Sequence, residues 1–264
     1  MIANAGGETT PKTIGTAVLQ RCALVALLLV LWWAGSLASP VYVLPSPERV
    51  FWRIGQLAAS GGLFVNLLIT LWRVVAGFLL AVAIGVPSGL LFGSNRTLGR
   101  FFEPILPILN TVSSAIWAIF AIVWFGLSPL TPIFVVLMTA LPLVVTNVWQ
   151  GTQAVNADFV ELAAALRFSR GKTLLKIYLP SIMPYFFSGA RLAFSFGWRV
   201  SLVAETLGAA SGVGYHLRQA ADLIQTDQVF AWTLAQVIMM LVIEIGLIQP
   251  AERRLFRWRR DARS

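Results

Sequence analysis

Charged residues are scarce in this sequence. They make up 12% of its 264 residues, against about a quarter in an average soluble domain. Hydrophobic residues account for 58%, and the mean hydropathy is +0.78. So few polar residues could not cover the surface of a water-soluble fold. We therefore expect an all-α membrane protein with much of its surface in lipid.

Cysteine and histidine are nearly absent, with Cys22 and His216 as the single residue of each type. One cysteine excludes an intrachain disulfide. No cluster of cysteine, aspartate or glutamate surrounds His216 at ligand spacing, so no metal site is expected. No Ser/His/Asp arrangement is supported by a motif either, which disfavours a membrane-embedded hydrolase.

Residues 171–173, Gly-Lys-Thr, are similar to the end of a phosphate-binding loop, but the motif is incomplete. It requires a second glycine five residues earlier, where this chain has Leu166, and a strand before it. We therefore expect that this chain does not bind ATP.

The sequence is rich in apolar runs, several of them as long as the roughly 20 residues that cross a bilayer. Together they predict about six spans, at about 17–39, 64–93, 104–125, 130–150, 181–207 and 229–250. The first run could also be a signal peptide, because Lys12 and Arg21 precede it and small residues at 36–38 would suit cleavage. We prefer a retained span.

The 20 lysines and arginines are unevenly divided between the two sides of the predicted spans. Fourteen lie on one side, three lie on the other, and three fall within or at the edge of spans. By the positive-inside rule, both termini and the segment 151–178 are cytoplasmic. Basic residues placed in this way indicate a membrane rather than a nucleic acid as the reason for the net charge of +9.

Small residues recur every fourth position in two of the predicted spans. The second span has Gly77, Ala81, Gly85, Gly89 and Gly93, and the fifth has Gly189, Ala193, Gly197 and Ser201. This spacing predicts smooth helix faces that pack closely against a neighbour. Faces that slide during gating are the alternative.

The segment 158–180 predicts a short helix–turn–helix between two spans. Asp158 suits an N-cap, and Glu161 completes an acidic first turn. Three alanines at 163–165 favour helix, and residues 169–171 break it. The second helix is amphipathic and is expected to end at Pro180.

This segment resembles the EAA loop of binding-protein-dependent ABC transporter permeases. It matches the family pattern at Glu161, Ala163, Leu166, Ser169, Leu179 and Pro180. It departs at Leu162, where alanine is usual, and at Arg167, where glycine is usual. The resemblance implies a set of ATPase-coupling residues: Glu161, Ala163, Ala164, Leu166, Ser169, Gly171, Leu179 and Pro180.

Four further pieces resemble the nitrate/sulfonate/taurine branch of this family. They lie at 44–47, 71–78, 124–126 and 204–215, so the resemblance covers about residues 41–250. It implies a type I importer fold (the MetI-like fold) with about six transmembrane helices, in the bacterial inner membrane.

The same resemblance implies three parts of the chain. Residues 1–61 would hold a cytoplasmic tail, the first span and an outer loop. Residues 62–250 would form the transmembrane domain, and residues 251–264 a basic cytoplasmic tail.

The resemblance also implies partners. The chain would be a non-enzymatic permease that dimerises with itself in the lipid bilayer around a central path. ATPase subunits, which hold the ATP and magnesium, would dock on the EAA loop, and an extracytoplasmic solute-binding protein would deliver the cargo. A small anion such as a sulfonate, taurine or nitrate is the expected cargo, and a pyrimidine-type vitamin precursor is the alternative.

A secondary transporter driven by an ion gradient is the rival from another class. Such transporters often contain internal repeats with broken helices at matching positions. The two halves of this chain show no clear repeat, and the acidic residues in its spans are sparse, namely Glu205 and Glu244.

Charged residues within the spans carry the remaining hypotheses. Arg191 and Arg199 share one face of the fifth span with Ser195, and an arginine in mid-membrane costs about 2.5–3.5 kcal/mol on insertion scales. Arg199 could attract an anionic substrate, or it could pair with Glu205 or Glu244. Arg191 could snorkel to the membrane edge. Glu205, near the outer end, could meet the binding protein or pair with an arginine.

Overall fold

A computed structural model describes residues 11–255, including their side chains except at 11–18, 21, 157, 164, 170, 253 and 255. Every regular element in this range is helical, which confirms the expected all-α class. The outer parts of both expected tails, 1–10 and 256–264, lie outside the described residues.

Thirteen α-helices follow one another along the described chain, and two of them continue into short π-helical turns. They are α1 Pro11–Ala38, α2 Pro47–Ala59, α3 Gly62–Ser94, α4 Arg96–Phe102, α5 Ile105–Thr111, α6 Ser114–Phe125, α7 Leu130–Gln153, α8 Ala157–Ala165, α9 Arg170–Thr173, α10 Leu179–Gly208, α11 Val213–Asp222, α12 Thr226–Ile243 and α13 Gln249–Leu255. The π-turns are Leu174–Tyr178, before α10, and Glu244–Ile248, before α13.

Each predicted span coincides with helical structure, but the helices differ in how well they suit a bilayer. By length and composition, α3, α7 and the run Thr226–Glu252 could cross a membrane. The bent pair formed by Arg96–Thr111 and Ser114–Phe125 would make a fourth span. Cys22–Ala38 is a shorter apolar helix, and the described residues contain three helices of the longer kind, or four if the bent pair is one span.

The run 104–125 is broken rather than continuous. Val112 and Ser113 are extended, and the helices on either side meet at a bend of 93°. A short polar stretch of backbone therefore interrupts this span.

The small-residue stripes pack on α7 from two sides. A Cβ atom on Gly93 of α3 would lie 2.4 Å from the Thr152 Cβ, and one on Gly189 of α10 would lie 2.5 Å from the Asn147 Cβ. These glycines thus let the backbones of α3 and α10 approach α7 as closely as they do. The stripes take the helix-packing role that their spacing predicts.

Helix α12 joins the same bundle through α10. The Trp198 indole N–H donates to the Gln236 carbonyl oxygen (3.3 Å), and the Gln236 side-chain amide donates to the Trp198 carbonyl oxygen (3.1 Å). Both side chains are buried. The four helices α3, α7, α10 and α12 therefore form one packed unit.

Replacing Gly89 by alanine should loosen this unit. The added Cβ would lie 2.8 Å from the Val148 Cβ and 2.9 Å from the Val145 carbonyl oxygen, so α3 and α7 must move apart. We expect a loss of about 1–3 kcal/mol in stability, seen as a lower melting temperature in detergent. Gly246→Ala is the matched control, because nothing lies within 4 Å of its added Cβ. Equal melting temperatures for the two variants would contradict the packing argument.

Candidate functional site

The segment 158–180 contains the predicted short helix, with a different cap. Helix α8 begins at Ala157, and the Asn156 side-chain oxygen accepts a hydrogen bond from the Asp158 backbone N–H (2.9 Å). Asn156 is therefore the N-cap, and the prediction that Asp158 is the cap was wrong. Asp158 lies in the first turn, where its negative charge interacts favourably with the positive end of the helix dipole.

The turn after α8 keeps a glycine-type geometry without the glycine. Arg167 has a φ of +53°, and the Phe168 backbone N–H donates to the Ala163 carbonyl oxygen (2.9 Å). A left-handed residue followed by a bond spanning five residues is the Schellman ending of a helix. Arg167 thus adopts the conformation that the usual glycine would favour, at a steric cost.

The second helix of the segment does not end at Pro180 as predicted. Helix continues from Arg170 through the π-turn into α10, which ends at Gly208. The Leu179 backbone N–H donates to the carbonyl oxygen of Leu174, five residues earlier. This widened turn lies directly before Pro180, where a proline ring would crowd a regular α-helical turn.

The predicted coupling residues divide between the surface and the interior. Glu161, Leu166, Ser169, Gly171, Leu179 and Pro180 are exposed, Ala163 is buried, and the side chain of Ala164 lies outside the described residues. The Ser169 side-chain oxygen accepts a hydrogen bond from the Lys172 backbone N–H (3.4 Å), which helps to start α9. A groove of about 400 Å³ lies between α8 and the start of α10.

A second constellation lies at the other end of α10. Glu205 is fully buried and forms an ion pair with Arg73 of α3, which is 2% exposed. The Arg73 Nη1 donates to the Glu205 Oε1 (2.7 Å), and the Thr70 hydroxyl donates to the Glu205 Oε2 (2.8 Å). The carboxylate is therefore fixed from α3 by a charge and a hydroxyl.

The loop between α10 and α11 folds over this pair. The Gly214 backbone N–H donates to the Glu205 Oε2 (3.0 Å), and Arg73 donates to both the backbone and the side-chain oxygens of Ser211 (2.6 and 2.7 Å). Gly212 has a φ of +97°, and a Cβ there would lie 2.5 Å from the Glu205 Oε1. Only glycine fits this position. The pair thus fixes the loop 209–214 to two helices.

Three residues of this network received no role from the sequence: Arg73, Thr70 and Asn66, whose Oδ1 accepts from the Gly212 backbone N–H (2.9 Å). An arginine inside an apolar run could have indicated it, because such residues nearly always pair or face water. The sequence could not identify Glu205 as the partner of Arg73, because the two residues lie 132 positions apart.

The other two arginines of the spans, Arg191 and Arg199, lie outside this buried network. Arg191 pairs with Glu244 and with Glu252, the latter at 3.0 Å. Arg199 is exposed, and its Nε donates to the Ser195 carbonyl oxygen of its own helix (3.3 Å). Within residues 11–255, no carboxylate forms an ion pair with Arg199. The pairing considered for it, with Glu205 or Glu244, does not occur.

The family model described as the binding-protein-dependent transport system inner membrane component matches residues 74–248. The chain belongs to this family. It is an inner-membrane permease of an ABC importer, in the branch with named sulfonate, taurine and nitrate permeases.

Three relatives of this permease illustrate the branch. A Bacillus subtilis permease, SsuC, whose name assigns it to aliphatic sulfonates transport, is 30% identical over 98% of both chains. The taurine transport system permease protein TauC of Escherichia coli is 26% identical over 89% of this chain and 87% of its own. The nitrate import permease protein NrtB of Synechococcus elongatus is 30% identical over 75% of this chain and 69% of its own.

The fold of the permease is also similar to a solved structure. A chain of the MetNI methionine ABC transporter superposes with a TM-score of 0.61 at 22% identity, covering 74% of this chain and 95% of that one. This likeness confirms the expected type I importer fold.

Breaking the buried pair should destabilise the permease strongly. Arg73→Gln leaves the Glu205 carboxylate buried without its charge partner, for which we expect a loss of about 3–5 kcal/mol. Glu205→Gln should cost a similar amount, and Arg73→Gln with Glu205→Gln should cost less than the sum. Thermal unfolding in detergent measures all three.

The control is Asp222→Asn, which breaks an exposed pair with Arg218 at 3.6 Å and should cost about 0–1 kcal/mol. Additive losses at 73 and 205 would refute the coupling.

Arg167→Gly should tighten the end of α8. Glycine takes a positive φ without steric cost, so we expect about 1 kcal/mol of local stabilisation. Hydrogen exchange of the backbone amides at 162–168 should become slower. Arg167→Ala removes the same side chain but keeps the Cβ atom, and its exchange should stay near that of the unchanged protein. Equal exchange in both variants would show that φ at this position is not strained.

Proposed function

We propose that this permease imports its cargo at the expense of ATP hydrolysed on separate subunits, to which it couples through the segment 158–180. The observation that carries the proposal is the surface of α8. Phe159 and Leu162 on this nine-residue helix, and Leu166 directly after it, are 56–59% exposed and lie outside the predicted spans. Apolar side chains grouped on a short exposed helix indicate a surface that another protein covers.

The helix is held in a way that suits the transmission of force. Ala163 is 2% exposed and lies on the same face of α8 as Phe159 and Leu162, so this apolar face contacts the rest of the chain at Ala163 and is open around it. Only residues 154–156 separate it from α7, and a continuous helix follows from Arg170 to Gly208. A partner that moves α8 would therefore move both α7 and α10.

The partners follow from this arrangement and from the family. ATPase subunits, with their ATP and magnesium, would dock on α8 from the cytoplasm, where both termini would also lie. Two copies of the permease would enclose the path in the lipid bilayer, and a solute-binding protein would supply the cargo from outside. The names of the relatives support a small anion such as a sulfonate, taurine or nitrate as cargo.

An ion-gradient mechanism has less support from the structure. Proton coupling needs a carboxylate that is free to titrate along the path. The two acidic residues of the predicted spans, Glu205 and Glu244, both form ion pairs with arginines.

Polar substitutions on α8 test the coupling. Leu162→Ser with Leu166→Ser removes exposed apolar contact area and should leave the permease folded, because both side chains are more than half exposed. We expect the ATPase subunit to co-purify poorly with this variant, and uptake into proteoliposomes to fall about tenfold or more, as losing two apolar anchors of an interface costs at least 1.4 kcal/mol.

The matched control is Leu223→Ser, which makes the same change at a leucine that is 60% exposed after α11, at the opposite end of α10. It should co-purify with the ATPase as the unchanged permease does. Uptake that survives the two changes on α8, or an unchanged permease that never associates with an ATPase, would overturn the proposed function.

A further inference from the structure

The uncompensated charge of Arg199 stands out among the arginines of the spans. Arg73 and Arg191 each meet carboxylates. Among the described residues, Arg199 meets the Ser195 carbonyl oxygen and the Phe196 ring, 4.9 Å from its guanidinium carbon, and no carboxylate. Within the described range, both nearby acidic candidates, Glu205 and Glu244, are occupied by other arginines. The positive charge is therefore available to a ligand.

Arg199 lies well inside α10 rather than near the end of the helix. It precedes the end of α10, at Gly208, by nine residues, which is about 14 Å along a helix. Its Nε is bonded to Ser195, one turn further from that end, so the side chain runs away from Gly208. A snorkelling arginine would point the other way.

The face around Arg199 is exposed and, apart from Ser188 and Ser195, apolar. Leu192, Phe196 and Val203 of α10 are all exposed on or near it. An unpaired guanidinium facing lipid is strongly disfavoured, and such residues face protein or a water-filled cavity instead. In the assembled transporter this face should therefore line the path rather than contact acyl chains.

A small cavity with polar and apolar lining reaches Phe196, the residue on which the Arg199 guanidinium lies. It measures about 220 Å³ and lies at the break between α5 and α6, where Asn110, Thr111, Ser113 and Thr139 contribute polar groups. Phe196 lines this cavity and also lies beneath the Arg199 guanidinium. Its volume is below the roughly 300–1,000 Å³ of drug-sized pockets and suits a small ligand.

We propose that Arg199 and the helix break at 111–114 form an anion-binding step of the translocation path. A carboxylate, sulfonate or nitrate group would accept hydrogen bonds from the guanidinium, which presents its donors in a planar fork. The break supplies hydroxyl and amide groups for the rest of a small polar solute. This inference rests on the proposed import function and names the chemical class of cargo that the path takes.

Charge removal at residue 199 tests the step in the assembled transporter. The permease, reconstituted with its ATPase and binding protein, is offered nitrate, taurine and methanesulfonate, and uptake and ATP hydrolysis are both measured. We expect Arg199→Gln to lower uptake of the imported anion about tenfold or more, because a charge-assisted hydrogen bond is lost. ATPase association should be unchanged. Arg199→Lys keeps the charge without the planar fork and should retain part of the uptake, and Gly246→Ala, the neutral control of the packing test, should retain all of it.

Chemical restoration of the charge gives a second readout. In a Cys22→Ser background, Arg199→Cys should react with water-soluble methanethiosulfonates, because the path holds water. The aminoethyl reagent, which adds a positive ammonium group with N–H donors, should restore uptake in part, whereas the sulfonate reagent should not. Failure of both reagents to react would place residue 199 away from the path and overturn the proposal.

The remaining outcomes separate this inference from the import function itself. Uptake by Arg199→Gln within twofold of the unchanged transporter would overturn the anion step while leaving ATP-driven import intact. So would import of a neutral aminopyrimidine but none of the three anions. If the unchanged permease binds no ATPase, the proposed function itself fails, whatever residue 199 does.

Discussion

The close approach of α3 and α10 to α7 is the constraint on which the rest of this molecule depends. In lipid, helices gain no hydrophobic driving force from meeting each other, so contact at short range must hold them. The two small-residue stripes provide it, and a Cβ atom at Gly93 or Gly189 would already lie within 2.5 Å of a side chain on α7. Since α7 is held between the other two helices, its position also fixes theirs.

The buried ion pair is a consequence of that packing. Arg73 and Glu205 lie on different helices that share α7 as a neighbour, and only their fixed approach lets the two side chains meet at 2.7 Å. Burying two such charges costs free energy unless hydrogen bonds satisfy their remaining donors and acceptors. Thr70 and the backbone of the loop at 211–214 form these hydrogen bonds. The small-residue stripes therefore position a loop that they do not touch.

Much of this architecture could be predicted from sequence, because its signals are periodic. Apolar runs predicted the helices, and four-residue spacing predicted the smooth faces. The partner of those faces was not identified from the sequence, although the α7 side chains that meet the α3 glycines also recur at four-residue spacing, at Val136, Val144, Val148 and Thr152. Valine and threonine are common in any apolar run, so this spacing did not mark α7 as the partner. The Arg73–Glu205 ion pair could not be predicted either, because the two residues lie 132 positions apart. The spans also contain three arginines but only two acidic residues, so the pairing was ambiguous. Pro180 was interpreted as a stop, whereas a π-turn carries the helix past it.

The two proposals meet where α8 connects to α10. From Arg170 to Gly208 the chain is helical without interruption, so the four residues after α8 lead directly into the helix that carries Arg199. Glu205 ties this helix to α3, and Arg191 ties it to the π-turn at Glu244. The two contacts lie on either side of residue 199. A movement of α8 would then shift Arg199 relative to the break at 111–114, which lies on a different element. The affinity for an anion bound by both Arg199 and the break would change with that movement. ATP-driven release requires such a change.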